Sequence, residues 1–296
     1  MTTKTIAFTA YHTAEVQELE LKPMAPDSVR ARTEYTIISG GTEKANLNED
    51  HFPCYSGYCG VGRVLETGET VQSVKPGDRV LIYHGRHTAI NTVPEHNVTL
   101  VTDDQIDSLD ALFVIMASMG LGGVRKLDVE IGESAMVMGL GLLGTFSVQF
   151  LRLNGAYPVI AVDPNPARRE LALKLGADFA FDPTEPDFPE KVKALTGGVG
   201  VNACVEVTGI ALALKQALAC MALRGRIALL GCTRIPDGTI DYYHEIHRPG
   251  ITLIGAHNFI PRRKLESAPH SWTHQDDCKA ILKLLSAGRI RMRPIL

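Results

Sequence analysis

The stretch "SAMVMGLGLLGTFSVQFL", residues 134–151, decides the fold. It opens as an apolar run of strand length, then places Gly139, Gly141 and Gly144 at GxGxxG spacing, and continues with helical periodicity from about Leu142 to Leu153. Each glycine has a physical reason. Gly139 makes a tight turn, Gly141 lets the backbone approach a pyrophosphate, and Gly144 lets helix and strand pack closely. The exposed N–H groups at Leu142 and Leu143 and the positive end of the helix then hold the anion. The run is apolar enough to raise the question of a membrane span, which needs about 20 such residues. The spaced glycines and the change from strand to helix argue instead for a buried parallel strand followed by a packed helix.

Working downstream, Asp163 ends the strand "PVIAVD", 24 residues beyond Gly139. A carboxylate there accepts hydrogen bonds from both hydroxyls of a ribose, and its charge repels a 2′-phosphate, so NAD is preferred over NADP. Arg168 and Arg169 follow in the first turns of the next helix, where they are either solvated or lie along the adenosine. That helix is punctuated by Asn165 as cap, Pro166 in the first turn and Gly176 as stop. Strands "ACVEV", "RIALLG" and "TLIGA" continue the series, with "ALALKQALACMAL" (211–223) predicted as the helix between the first two. Alternating strands and helices at this spacing predict a doubly wound parallel sheet covered on both faces. Thr273 caps a last helix that stops at Gly288.

Upstream, residues 1 to about 110 hold short alternating runs broken by turns, so this lobe is mainly β. "KPGD", Lys75 to Asp78, has the chemistry of a type II turn before the strand "RVLIY". At 296 residues the chain is comfortable for two lobes. Its 45% hydrophobic and 21% charged residues are ordinary globular usage, and a net charge of −3 gives no field for nucleic acid. Six cysteines, at 54, 59, 204, 220, 232 and 278, show no CxxC pair and read as reduced cytosolic thiols. The opening residues lack a signal-peptide core and read as a β-strand, which makes a cytoplasmic location the expectation. Asp50, His51, Cys54 and Cys59 are all permissible zinc ligands, but their spacing matches no established site, and no metal is expected.

"GGTE", "KPGDRV", "VMGLGLLG" and "GGVGVNACVEVTG", in that order over nearly the whole chain, resemble the medium-chain dehydrogenase/reductase superfamily, the alcohol-dehydrogenase-like enzymes. The resemblance implies a GroES-like β-rich catalytic domain over residues 1–118, a Rossmann domain over 119–265, and a C-terminal helix and segment, 266–296, leading back toward the first. Zinc-dependent relatives carry a cysteine in a "CGTD"-like run and histidine and glutamate in a "GHE" run. Here Gly40 stands in the cysteine's place, Tyr58 and Cys59 in the other two, and the third ligand position falls near Ile115. The resemblance therefore implies a branch without the catalytic zinc.

Without zinc, hydrogen-bond donors must stabilise the alkoxide and move its proton. By position, the resemblance nominates Thr42 and Tyr58, with Glu43 as a further catalytic candidate and Lys44, His257 and Asn258 toward substrate. A local Glu43–Lys44 ion pair at a helix start is the other reading of those two. Thr208 and Gly209, and Gly231 and Cys232, end strands where relatives bind the dinucleotide. The late segment with a tryptophan before the last helix is similar to bacterial sugar and glycoside dehydrogenases. The expected function is interconversion of a secondary alcohol, of sugar, glycoside or polyol type, with its ketone by an NAD-dependent homodimer or homotetramer that needs no membrane or nucleic acid. An NADPH-dependent quinone or activated-alkene reductase and a catalytically silent dinucleotide-binding protein are the alternatives.

Overall fold

The computed structural model describes residues 2–48, 51–232, 238–257 and 272–292. The chain divides into two compact units, residues 1–115 with 262–290 and residues 116–261 with 291–296.

The first unit begins with the antiparallel hairpin β1 (Thr2–Ala10) and β2 (Thr13–Glu20). A five-stranded antiparallel sheet follows, built from β3 (Ser28–Thr36), β4 (Cys59–Thr67), β5 (Arg79–Tyr83), β6 (Ile90–Pro94) and β7 (Val98–Leu100) in the order β6-β3-β4-β5-β7. Its β-branched residues bury one core, with Val29, Val64, Val80, Ile82, Val93 and Val98 all almost fully enclosed. The expected type II turn before β5 is present: Asp78 N–H donates to the Lys75 carbonyl at 3.1 Å, and Gly77 has a φ of +92°. Two short helices lie in this unit, α1 (Gly40–Asn46) and α2 (Ser108–Leu112).

The chain passes into the second unit within α3 (Val114–Arg125). There β8 (Ala135–Met138), α4 (Leu142–Leu153), β9 (Val159–Val162), α5 (Pro166–Lys174), β10 (Phe179–Phe181), α6 (Phe188–Ala194), β11 (Val201–Glu206), α7 (Ala211–Cys220), β12 (Met221–Leu229) and β13 (Thr252–Gly255) alternate. The strands form a wholly parallel sheet in the order β10-β9-β8-β11-β12-β13. The order reverses between β8 and β11, and such a switch point is where open α/β sheets receive ligands. Near-continuous apolar strands follow from burial on both faces: every residue of β8 and β9 is buried. The last helix, α8 (His274–Ser286), counts with the first unit, and Thr273 closes a capping box with Asp276. No helix of the described residues is long and apolar enough to cross a membrane.

One predicted boundary is wrong. The helix expected over 211–223 stops at Cys220, and Met221 already pairs with Val201 of β11. Alanine, methionine and leucine are good helix formers, but ladder bonds to a buried neighbouring strand outweigh that local preference.

Candidate functional site

In the second unit the glycine loop joins β8 to α4. Gly139 has a φ of +96°, and a Cβ on Gly144 would collide with the Gly139 carbonyl oxygen, so the helix can start this close to the strand only on glycine. Gly141 caps α4 with no side-chain acceptor, leaving the first-turn N–H groups, those of half-buried Leu142 and Leu143 among them, to a ligand. Asp163, 4% exposed, lies beside this loop. Its Oδ2 accepts the Leu140 N–H at 2.8 Å and its Oδ1 accepts the Asn165 N–H at 2.8 Å. A carboxylate has about four acceptor positions, so capacity for further donors remains. Arg168 Nη1 stands 3.4 Å from Asp163 Oδ2, with its side chain half exposed. Arg169 turns away to Asp182 and to the Asp163 and Pro164 carbonyls.

The structure also brings together the ends of β11 and β12. Glu206 accepts the N–H groups of Thr208 (2.7 Å) and Gly209 (3.1 Å) and the Thr208 hydroxyl, which orders that turn. A Cβ on Gly231 would run into the Gly209 backbone, and one on Gly209 into the backbone of Cys232, whose side chain is exposed. Burial holds the Glu206 carboxyl above its ordinary pKa, and the Thr208 and Gly209 hydrogen bonds only partly offset it. A lone acid in the apolar run "ACVEV" is the sequence signal that marks this residue. His257 is exposed just after β13, and Asn258 lies outside the described residues.

In the first unit, Ser39, Thr42 and Tyr58 form a hydroxyl cluster in which the phenol is hydrogen-bonded with the side chains of Ser39 and Thr42. Burial, and then the neighbouring Cys59, push the phenol pKa up, Glu43 adds a smaller push, and the two hydroxyls pull the other way. Tyr58 is thus a protonated donor at neutral pH. Glu43, 5% exposed, does not form the expected local pair with Lys44: its oxygens lie 3.0 Å from His87 Nε2, and Oε1 accepts the Ser39 N–H at 2.9 Å. The reason is geometric, since Glu43 points inward from α1 while Lys44 is exposed. His87 Nδ1 is 2.7 Å from Thr36 Oγ1, so His87 joins a buried chain that nothing in its sequence spacing announces.

The zinc ligand positions do not fit a metal. Gly40 offers no donor, Tyr58 is held protonated, Ile115 is fully buried hydrocarbon, and burial raises the Cys59 thiol well above its usual pKa, with Cys278 and Glu43 adding to the effect. Zinc needs about three converging ligands, and the described residues contain no group of three histidine, cysteine or acidic side chains able to supply them. Asp50 of the unaligned candidate set lies outside the described residues; Cys54 lies beside β1, its N–H bonded to the Phe8 carbonyl at 2.9 Å.

The family described as "Zinc-binding dehydrogenase" matches residues 143–267. L-threonine 3-dehydrogenase of Caldanaerobacter subterraneus subsp. tengcongensis is 30% identical over 280 residues, covering 82% of this chain and 79% of that protein. D-guloside 3-dehydrogenase of Escherichia coli (strain K12) is 33% identical over 169 residues, 57% of this chain and 48% of that protein. The chain spans about half or less of the length of several such curated relatives, down to 43%. In fold, galactitol-1-phosphate dehydrogenase from Escherichia coli superposes with a TM-score of 0.84 at 17% identity, covering 98% of this chain and 91% of that one. An antiparallel β unit, a six-stranded parallel unit with a glycine loop at its switch point, and a relative matched over most of both lengths agree: the chain belongs to the medium-chain dehydrogenase/reductase superfamily.

Proposed function

We propose that the chain interconverts a polyhydroxylated secondary alcohol and its ketone, using NAD(H) and no zinc. The observation that carries this reading is the Gly139–Gly144 loop at the sheet's switch point, tied by Leu140 to the buried Asp163 carboxylate. That carboxylate favours ribose hydroxyls and disfavours a 2′-phosphate. The relatives named for threonine and guloside support an alcohol or sugar substrate.

The residues that would hold the dinucleotide are the first-turn amides of α4, Asp163, Thr208-Gly209 and Gly231-Cys232; bound there, it supplies the hydride acceptor. In the first unit, Tyr58 donates a hydrogen bond to the substrate oxygen as negative charge develops on it. Thr42, hydrogen-bonded with Tyr58, relays the proton: in oxidation its hydroxyl accepts the substrate's proton as it releases its own to solvent, and in reduction the relay runs in reverse. Glu43 lies beside this pair and adds a small push that favours the protonated phenol. Lys44 and His257, both exposed, remain candidates for substrate hydroxyls.

A panel of sugar alcohols, glycosides and hydroxy acids assayed with NAD, before and after exhaustive chelation, tests the proposal. Turnover retained after chelation is the expected result. Thr42→Val and Tyr58→Phe should each lower kcat/KM by roughly 100-fold, the usual loss of one positioned proton-transfer or oxyanion donor. NADH binding with no turnover across the panel, or wild-type rates in both variants, rejects the reading.

A further inference from the structure

His87 has no role in hydride or proton transfer as described, yet its main chain and imidazole touch every segment that carries the first-unit site. Its Nε2 meets both oxygens of Glu43, the residue after Thr42, and its Nδ1 meets Thr36 at the end of β3. Its N–H donates to the Ser56 carbonyl at 3.0 Å, two residues before Tyr58, and its own carbonyl accepts from Ile6 N–H at 2.8 Å and Thr5 Oγ1 at 3.1 Å. Gly57, with a φ of +96°, passes so close that a Cβ there would stand 2.5 Å from His87 N and 2.9 Å from its Cγ.

Helix α1 needs such an anchor. It has seven residues and starts with two glycines, too short and too glycine-rich to persist alone, and its N-cap Ser39 makes no side-chain cap. The Ser39 N–H bonds the Glu43 carboxylate instead, and that carboxylate is held by His87. Because a carboxylate only accepts, His87 meets Glu43 through a donor at Nε2, while its Nδ1 pairs with the Thr36 hydroxyl. The chain therefore needs a donor at Nε2.

We infer that His87 is a positioning residue: through Glu43 it fixes α1 and so Thr42, and through Ser56 and Gly57 it fixes the approach of Tyr58, setting the distance between the two hydroxyls. The inference rests on the reading that these hydroxyls serve the substrate. A shift of about 1 Å in such a pair costs on the order of 100-fold in rate.

The test uses the full chain as wild type, His87→Leu, His87→Gln and Thr36→Val. Hydrogen exchange is followed at the Glu43 and Leu47 amides, which bond Ser39 and Glu43 carbonyls in α1. His87→Leu should raise their exchange by on the order of tenfold and lower kcat by roughly 10- to 100-fold, with the NADH Kd unchanged. His87→Gln, which keeps a donor near the Nε2 position, should recover both to within a few fold. Should the leucine variant not fold, Thr36→Val carries the test, with a smaller change in the same two readouts. Unchanged exchange and kcat in His87→Leu, or in Thr36→Val, overturn the inference, as does a glutamine variant no better than leucine. Wild-type inactivity would fault the proposed function alone, because amide exchange still reports whether His87 holds α1.

Discussion

Leu140 donates its backbone N–H to Asp163 Oδ2 at 2.8 Å, so the carboxylate proposed to meet the ribose also holds the glycine loop. Hydrogen bonds to charged groups contribute about 1.5–3 kcal/mol, and each 1.4 kcal/mol is tenfold in affinity. Asp163→Ala should therefore weaken NADH binding by roughly 10- to 100-fold. Asp163→Asn, which keeps an acceptor for Leu140 but loses the charge, should narrow the gap between NADH and NADPH. Fluorescence titration with both dinucleotides checks this, and an unchanged ratio in the asparagine variant would show that Asp163 does not select the cofactor.

The glycines of the loop separate stability from binding. Gly144→Ala drives a methyl into the Gly139 carbonyl and should cost about 1–3 kcal/mol in denaturant unfolding. A Cβ on Gly141 meets nothing within 4 Å and its backbone is extended, so Gly141→Ala should change stability by no more than about 1 kcal/mol. It should still abolish tight NADH binding if the pyrophosphate approaches the backbone there, as proposed. Equal stability losses in the two variants would contradict this assignment.

Glu206 gives stability a pH dependence of definite sign. Its carboxyl is raised in the folded chain by burial, so the folded state binds more protons than the unfolded state in the window between about pH 4.3, the ordinary value, and the raised one. The contribution of Glu206 is fully present below that window and is lost as pH rises through it. Measured against Glu206→Gln, wild-type stability should therefore decline as pH rises above the ordinary carboxyl range. A relative gain with rising pH would show that the Thr208 and Gly209 hydrogen bonds outweigh burial.

The capping box at α8 is a local test of the first unit. Thr273 Oγ1 accepts from the Asp276 N–H at 3.1 Å while Asp276 Oδ2 accepts the Thr273 N–H at 2.8 Å. Thr273→Ala should lower stability by about 1 kcal/mol, read as a shift in the urea midpoint without a change in slope.

What the sequence made legible was whatever is written in short-range pattern. GxGxxG between a strand and a helix, Asn165-Pro166 at a helix start and Lys75-Pro-Gly-Asp78 at a turn are local chemistry, and each appears where its spacing placed it. The end of α7 was not legible, because the partner that converts Met221 to strand lies 20 residues away at Val201. The hydroxyl cluster was half legible: Thr42 and Tyr58 were nominated by position and lie together, but the inward turn of Glu43 to His87 depends on a contact 44 residues apart. Long-range partners of single polar residues leave no periodic trace, so no local pattern around His87 points to Glu43.

The six thiols carry a last consequence, for chemical labelling. Cys59, Cys204, Cys220 and Cys278 are enclosed, and burial lifts Cys204 well above its ordinary pKa and Cys220 to about 12, so the folded chain shields them from alkylating reagents. Cys232 is exposed and its backbone lies against Gly209, at the strand ends where the dinucleotide is proposed to bind. A fluorophore coupled there would give the wild-type chain an optical readout of cofactor occupancy, with the half-buried Cys54 as the one competing position to check by peptide mapping.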